Sequence, residues 1–187
     1  VLVPNMRGWD SFLPFAEGPF EIAVFISASE GFSQSNLNAS VAESVARIAP
    51  VVAAAIAKGV TVRGYVSCVT DCPFDGPTDP ADVVRAVGML RALAPMQVSL
   101  GDTIGLGTPD RIGRMLEAVL QDVPAGQLAG HFHDTGGQAL DNIGVALDLG
   151  VRHFDSAVGG LTGSPSSDRL IVTGAGGGET VTIELLL

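Results

Sequence analysis

Short apolar segments rich in β-branched residues alternate along the chain with longer amphipathic segments. Such alternation is typical of βα units around a parallel sheet, whose strands are buried on both faces. The pattern predicts six strands, at residues 1–5, 21–29, 61–68, 96–103, 126–135 and 151–160. Amphipathic segments between them predict the helices that cover the sheet.

Helix starts are predicted where a capping residue precedes an amphipathic segment. The three signals are Ser40 with Glu43 as a capping box, Asp79 before Pro80, and Thr108 before Pro109. Pro50 lies inside the apolar pattern of residues 41–57, and an interior proline either kinks or divides a helix. We expect one kinked helix there.

Strict alternation of strands and helices fits either a doubly wound open sheet or a (β/α)8 barrel. No G-x-G-x-x-G follows the first strand, as a dinucleotide-binding open sheet would require. Polar residues instead recur at the carboxyl ends of successive strands: Ser29 with Glu30, Ser67 with Cys68, Asp102 with Thr103, His133 with Asp134, and Asp155 with Ser156. Convergence at that end is typical of the active face of a TIM barrel.

The length predicts an incomplete barrel. A complete one takes roughly 250 residues, and this chain of 187 residues carries about six βα units in a single domain, residues 1–187. The sequence begins inside an apolar run and stops at IELLL, which resembles an apolar helix without a cap. We therefore expect a fragment of a larger barrel.

Composition narrows the class of partner. The net charge of -10 would repel nucleic acid and anionic membrane surfaces, which favours a small-molecule substrate. Cys68 and Cys72 are predicted to be free thiols, which favours the cytoplasm. The most apolar run, residues 51–60, is too short to cross a membrane, and no signal peptide is visible.

The segment HFHDT places two histidines on one face of a predicted strand. Alternate side chains of a strand share a face, so His131 and His133 point into the barrel while Phe132 points toward the helices. Two such imidazoles could supply two ligands to one divalent ion. The same spacing is also compatible with a hydrogen-bonded pair of histidines that lines a pocket.

The segment SLGDTIGLGTP places Ser99 and Asp102 near the end of the preceding strand. Asp102 could act as a general base or orient a substrate, or it could cap backbone donors in the turn. The glycine- and serine-rich residues 159–168 could close over a substrate or form a flexible linker. Residues 174–180, GAGGGET, are a weak candidate for a phosphate loop because the G-K-[ST] ending is absent.

Six segments together resemble the 3-hydroxy-3-methylglutaryl-CoA lyases of the metal-dependent barrel lyase and aldolase superfamily. They are PNMRGWD, IAVFISASEGFSQSNLN, VRGYVSCVTDCPFDGP, VSLGDTIGLGTP, HFHDTGGQALDNIGVAL and FDSAVGGLTGSP, and they extend to about residue 165. Asp134 and Thr135 after the second histidine favour the CoA-lyase branch, because relatives that act on oxo acids tend to carry asparagine there. The resemblance implies that the chain supplies strands three to eight of the barrel.

The resemblance also implies roles for individual residues. His131 and His133 would bind a divalent Mg or Mn ion, and His131 would belong to the catalytic site. Asp102 would assist proton transfer, while Ser99 and Thr103 would contact the substrate.

Three departures from the family pattern concern the rest of the site. The family's first strand carries an Arg-Asp pair, in which the aspartate ligates the metal, and that strand is absent from this sequence. Ser164 occupies the position of a loop cysteine, and a hydroxyl is a weaker acid and nucleophile than a thiol. The asparagine ligand expected near residues 174–186 is also absent, so two of four expected protein ligands are missing.

The expected activity is cleavage of 3-hydroxy-3-methylglutaryl-CoA to acetoacetate and acetyl-CoA by a divalent-metal-dependent carbon-carbon lyase. An acyl-CoA thioester is therefore the expected partner, and a homo-oligomer is compatible with the sequence. One alternative is a related branched substrate such as citramalyl-CoA, and another is a non-catalytic barrel remnant. For the isolated chain we expect weak metal binding without turnover.

Overall fold

The strands form one parallel sheet around which the chain winds in βα units. The computed structural model describes residues 1–16, 18–156 and 182–185. The six-stranded sheet has the order β1-β2-β5-β6-β7-β8, and every neighbouring pair is parallel. Its strands are β1 (Glu21–Ser27), β2 (Thr61–Ser67), β5 (Gln97–Asp102), β6 (Leu128–Phe132), β7 (His153–Ser156) and β8 (Thr182–Leu185). The short strands β3 (Asp71–Cys72) and β4 (Gly76–Pro77) form a separate antiparallel pair.

Six α-helices are described, and three of them start at the predicted caps. They are α1 (Met6–Phe12), α2 (Glu30–Leu37), α3 (Val41–Ala57), α4 (Pro80–Leu93), α5 (Pro109–Val119) and α6 (Ala139–Asp148), with single 3₁₀ turns at Leu13–Phe15 and Ala125–Gln127. The capping box of Ser40 and Glu43 forms in both directions, which confirms that prediction. Asp79 and Thr108 cap α4 and α5. Pro50 lies inside α3 and does not divide it.

The main hydrophobic core lies between the sheet and the helices. Even-numbered residues of the first two main strands point to that layer, and Val24 and Val66 are fully buried there. On the helical side Val51, Leu90 and Ile112 are also fully buried. The odd-numbered residues of the same strands face the barrel interior, where the polar side chains gather.

Both ends of the chain differ from the predicted elements. Residues 1–5 make only a single bridge, between Leu2 and Ala23, because Pro4 has no backbone N–H and Asn5 already caps α1. The helix predicted from IELLL is wrong, since Thr182–Leu185 is a strand in register with β7. The β-branched residues of that strand favour an extended backbone.

Among the described residues no single helix is long and apolar enough to cross a membrane. Helices Glu30–Leu37 and Val41–Ala57 together are long and apolar enough to cross a membrane, but the two are bent by 58° relative to each other.

Candidate functional site

Strand register brings the predicted site residues of three strands to one interior face. Gly101 lies opposite His131, and Ala129 lies opposite His153, so the odd-numbered residues of β5, β6 and β7 share the barrel interior. Ser99, His131 and Asp155 therefore meet in space although 56 residues separate the first from the last. His133, two residues beyond His131, continues the same face at the carboxyl end of β6.

The two histidines converge through their Nε2 atoms, which lie 3.1 Å apart. The Nδ1 atom of His131 is 2.9 Å from Asp155 Oδ2. The Nδ1 atom of His133 is 2.8 Å from the backbone oxygen of Thr103. In each ring an oxygen therefore contacts Nδ1, and Nε2 points toward the other histidine.

This arrangement fixes where the ring protons lie. A carboxylate and a carbonyl only accept hydrogen bonds, so both contacts require the proton on Nδ1. In two neutral rings the Nε2 lone pairs of His131 and His133 then face each other, which is repulsive unless a cation lies between them. Backing of each ring by an oxygen is also typical of histidines that bind a metal. The donor set therefore fits a divalent ion better than a simple hydrogen-bonded pair.

The described residues supply part of such a site. They contain no group of three or more His, Cys, Asp and Glu side chains that could hold a metal ion. The pKa of His133 is lowered, first because burial disfavours the charged ring and also because His131 lies beside it. A neutral ring is the form that binds a metal. The lowered pKa therefore favours the metal-binding form of His133.

Asp155 joins the histidines to a buried ionic network that sequence reasoning missed. Its side chain is fully buried and contacts Arg63 Nη1 at 3.1 Å through Oδ1. Ser99 Oγ donates to Oδ2 at 2.7 Å. Burial raises the pKa of Asp155, but the bonds from His131 and Ser99 and the charge of Arg63 outweigh it, so the pKa lies below its usual range. Arg63 also lies 3.0 Å from Glu21.

Asp102 lies on the other face of its strand. It is opposite Phe132 in the register, and its side chain is fully buried. Oδ1 accepts from the hydroxyl of Thr70 at 2.9 Å, and Oδ2 accepts from the backbone N–H of Gly107 at 2.9 Å. These contacts fit the turn-capping interpretation, and a role in proton transfer stays a prediction.

Of the remaining predicted site residues, Thr103 is described by the structure and Ser164 is not. Thr103 accepts from the backbone N–H of Cys68 through its hydroxyl at 2.7 Å, and its carbonyl holds His133. Ser164 lies outside the described residues. Residues 159–168 and 174–180, the candidate closing loop and phosphate loop, also lie outside them.

Two loops at the carboxyl ends of β5 and β6 pack closely beside the histidines. The backbone N–H of Gly136 donates to the carbonyl of Gly105 at 2.8 Å. Gly105 has a φ of +65°, and a Cβ there would lie 2.8 Å from the backbone nitrogen of Thr135. Only glycine fits this approach without strain, so Gly105 fixes the position of the loop that follows His133.

Cys68 and Cys72 are free and buried, as predicted, and their surroundings differ. Burial raises the pKa of Cys68 to about 12. Burial alone would also raise the pKa of Cys72. Hydrogen bonds to its sulfur from the Ser29 hydroxyl, at 2.8 Å, and from two backbone N–H groups outweigh burial, so this pKa is lowered. The loop that follows β2 therefore stabilises the Cys72 thiolate relative to that of Cys68.

Comparison with known proteins gives consistent matches. The family model described as HMGL-like matches residues 13–175. The 3-hydroxy-3-isohexenylglutaryl-CoA/hydroxy-methylglutaryl-CoA lyase of Pseudomonas aeruginosa is 49% identical over 165 residues, which cover 88% of this chain and 54% of that protein. The chain therefore spans about half the length of this relative.

Two solved structures agree with that match. The HMG-CoA lyase of Brucella melitensis is 56% identical, with a TM-score of 0.84, over 89% of this chain and 58% of the other. An HMG-CoA lyase of Acinetobacter baumannii, solved in complex with coenzyme A and 3-methylmalate, is 32% identical, with a TM-score of 0.79, over 88% of this chain and 53% of the other. These likenesses confirm the predicted fold class, a TIM barrel of which this chain forms part.

Proposed function

Because the chain belongs to the HMGL-like family, we propose that it carries the metal-binding face of a lyase that cleaves 3-hydroxy-3-methylglutaryl-CoA. The products are acetoacetate and acetyl-CoA. The observation that carries the proposal is the convergence of His131 Nε2 and His133 Nε2 at 3.1 Å inside a partial barrel. The names of the similar proteins support the substrate class, which is an acyl-CoA thioester.

His131 and His133 would hold the divalent ion, Mg or Mn. When bound, such an ion polarises hydroxyl and carbonyl oxygens of a substrate and stabilises the negative charge that develops on them. The chain's own residues prepare this position. Asp155 and the carbonyl of Thr103 hold the rings, and burial lowers the pKa of His133.

The proton-transfer and substrate contacts are further proposals. Ser99 and Thr103 are proposed as substrate contacts on the resemblance alone, because the hydroxyl of Ser99 donates to Asp155 and that of Thr103 accepts from the backbone N–H of Cys68. Asp102 is proposed as the base on the resemblance alone, because its present contacts hold the turn at Gly107. Ser164 would take the place of the family's loop thiol. A cytoplasmic location is proposed from the two free cysteines.

Metal binding by the histidine pair is the first test of the function. We expect His131→Ala and His133→Ala each to weaken Mn²⁺ binding by at least about tenfold, measured by electron paramagnetic resonance of the free ion. His153→Ala is the matched control, since it removes the third histidine of the chain and lies outside the pair. Equal Mn²⁺ affinity in all four proteins would contradict the proposed metal site.

Cleavage assays on two thioesters test the substrate. With Mg²⁺ or Mn²⁺ present, a whole lyase that contains this chain is expected to release acetyl-CoA from 3-hydroxy-3-methylglutaryl-CoA faster than it cleaves citramalyl-CoA, while the isolated chain is expected to cleave neither thioester. Equal inactivity of the whole lyase on both thioesters would contradict the proposed lyase activity. A preference for citramalyl-CoA would reassign the substrate within the same reaction class.

A second substrate follows from one relative. The Pseudomonas aeruginosa protein, 49% identical, carries a name with two substrates, one of which has an isohexenyl group in place of methyl. We propose that 3-hydroxy-3-isohexenylglutaryl-CoA be assayed in parallel. Cleavage of the methyl substrate alone would restrict this chain to the smaller thioester.

A further inference from the structure

The carboxylate of Asp155 is held in one orientation by donors on both oxygens. Oδ1 accepts from Arg63 Nη1 at 3.1 Å. Oδ2 faces both Ser99 Oγ at 2.7 Å and His131 Nδ1 at 2.9 Å. Its side chain is fully buried, and that of Arg63 is 5% exposed, so solvent does not compete for these contacts. A carboxylate fixed from several sides also fixes the ring that it contacts.

The two histidines are held by different kinds of acceptor. His133 donates to a main-chain carbonyl, that of Thr103, which no side-chain substitution removes. His131 donates to a side-chain carboxylate, and a bond to a charged acceptor is about twice as strong as one between neutral groups. The proton position on His131 therefore depends on one replaceable group.

We propose that Asp155, oriented by Arg63, is a positioning residue of the metal site. By accepting the Nδ1–H of His131, it keeps the Nε2 lone pair of that ring directed toward the shared position beside His133. The inference rests on the proposed function in taking the two histidines as ligands of one divalent ion. It adds that the ligand form of His131 is set by a residue that does not touch the ion.

The substitution Asp155→Asn reverses this arrangement without changing the size of the side chain. A guanidinium only donates, so the amide oxygen of the asparagine must face Arg63. The NH₂ group then replaces Oδ2 and donates to His131 Nδ1, which moves the ring proton to Nε2. Ser99 Oγ, which donates to Oδ2 in the wild-type chain, can accept the second N–H of this amide. His131 Nε2–H can in turn donate to His133 Nε2, so the metal-free rings stay hydrogen-bonded while the ligand lone pair of His131 is lost.

Nitrogen-15 NMR of the metal-free chain reads the ring protons directly. At about pH 8.5, well above the ordinary imidazole pKa of about 6.5, we expect the proton of His131 on Nδ1 in the wild-type chain and on Nε2 in Asp155→Asn. His133 is expected to carry its proton on Nδ1 in the variant, because its carbonyl partner is unchanged. Mn²⁺ affinity, measured by electron paramagnetic resonance, is expected to fall about 10- to 100-fold.

Ser99→Ala is the matched control, because it removes one hydrogen bond to the same Oδ2 atom and leaves the carboxylate in place. We expect its His131 proton to stay on Nδ1 and its Mn²⁺ affinity to change less than about threefold. A wild-type His131 protonated on Nε2 would overturn the proposal, even if the asparagine variant failed to fold. Loss of Mn²⁺ affinity without a change of tautomer would also overturn it, since that result indicates a structural role.

These outcomes separate the inference from the proposed reaction. If the chain shows the expected tautomers and Mn²⁺ affinities but a whole lyase that contains it cleaves no thioester, only the lyase activity is contradicted. A chain that cleaves the thioester with the proton of His131 on Nε2 would contradict only the role of Asp155.

Discussion

Gly105 is the residue on which the loop beside His133 most directly depends. Its φ of +65° is disfavoured for any residue with a Cβ, and an added Cβ would lie 2.8 Å from both the backbone nitrogen and the hydroxyl oxygen of Thr135. We expect Gly105→Ala to lower the free energy of unfolding by about 2–4 kcal/mol, from backbone strain and displacement of that loop. Urea unfolding followed by circular dichroism measures the loss.

Gly88 provides the matched control for this substitution. It lies in the middle of α4, and no atom is within 4 Å of the position of an added Cβ. Gly88→Ala is expected to raise the free energy of unfolding by about 0.5–1 kcal/mol, because alanine favours a helix. Equal effects of the two substitutions would show that the close approach of Gly105 to Thr135 has no energetic consequence.

The residues of the site differ in how far the sequence predicts them. The histidine pair follows from the period of two in a strand, since His131 and His133 must share a face wherever the strand lies. Asp155 is recognisable only as a polar residue at a strand end, because its contacts with Arg63 and Ser99 depend on the register of separate strands. The alternatives for Asp102 could not be resolved from spacing, since both turn-capping and catalytic aspartates follow strands.

At the scale of elements, Pro50 conflicts with the helix that contains it. Helix α3 continues through this exposed proline, which cannot donate to the carbonyl of Ala46. Pro50→Ala restores the donor and removes a steric contact, although it also increases the entropy of the unfolded chain. We expect a net gain of about 1–2 kcal/mol in the free energy of unfolding, measured by urea denaturation.

Ile56→Ala is the control for Pro50→Ala in the same helix. Ile56 is 51% exposed and has a normal backbone N–H, so only a difference in helix propensity of a few tenths of a kcal/mol is expected. If Pro50→Ala changed the free energy of unfolding no more than Ile56→Ala does, the prediction would be wrong, and the proline would not destabilise α3.

The four main strands and three of the helices between residues 21 and 148 are predicted well because each carries its own signals. Hydrophobic alternation identifies the strands, and Ser40, Asp79 and Thr108 mark three helix starts as the structure has them. At the C-terminal end of the chain the local pattern predicts a helix, whereas the segment pairs with a strand of the sheet. The pattern of Thr182–Leu185 is too short to distinguish a helix from a strand, and its pairing with β7 decides the outcome.

At the scale of the whole molecule, residues 1–3 pair on one side only among the described residues, and that side faces β1. Val3 N donates to Ala23 O at 2.9 Å, and Ala23 N donates to Val1 O at 2.8 Å. In a parallel pair these bonds leave the N–H and C=O of Leu2 pointing away from β1. The side chains of Val1 and Leu2 are 66% and 58% exposed. An apolar edge of this kind is a template for pairing with another chain.

We expect the 187-residue chain, taken by itself, to self-associate through this edge, and a charged residue there to oppose it. Sedimentation velocity should show a concentration-dependent increase in mean mass for the wild-type chain and a smaller increase for Leu2→Lys, because strand pairing would bury the ammonium group. Phe15→Lys is the matched control, since Phe15 is 80% exposed but lies in a 3₁₀ turn outside the sheet. Equal self-association of Leu2→Lys and the wild-type chain, or a loss of association in Phe15→Lys alone, would place the contact elsewhere on the surface.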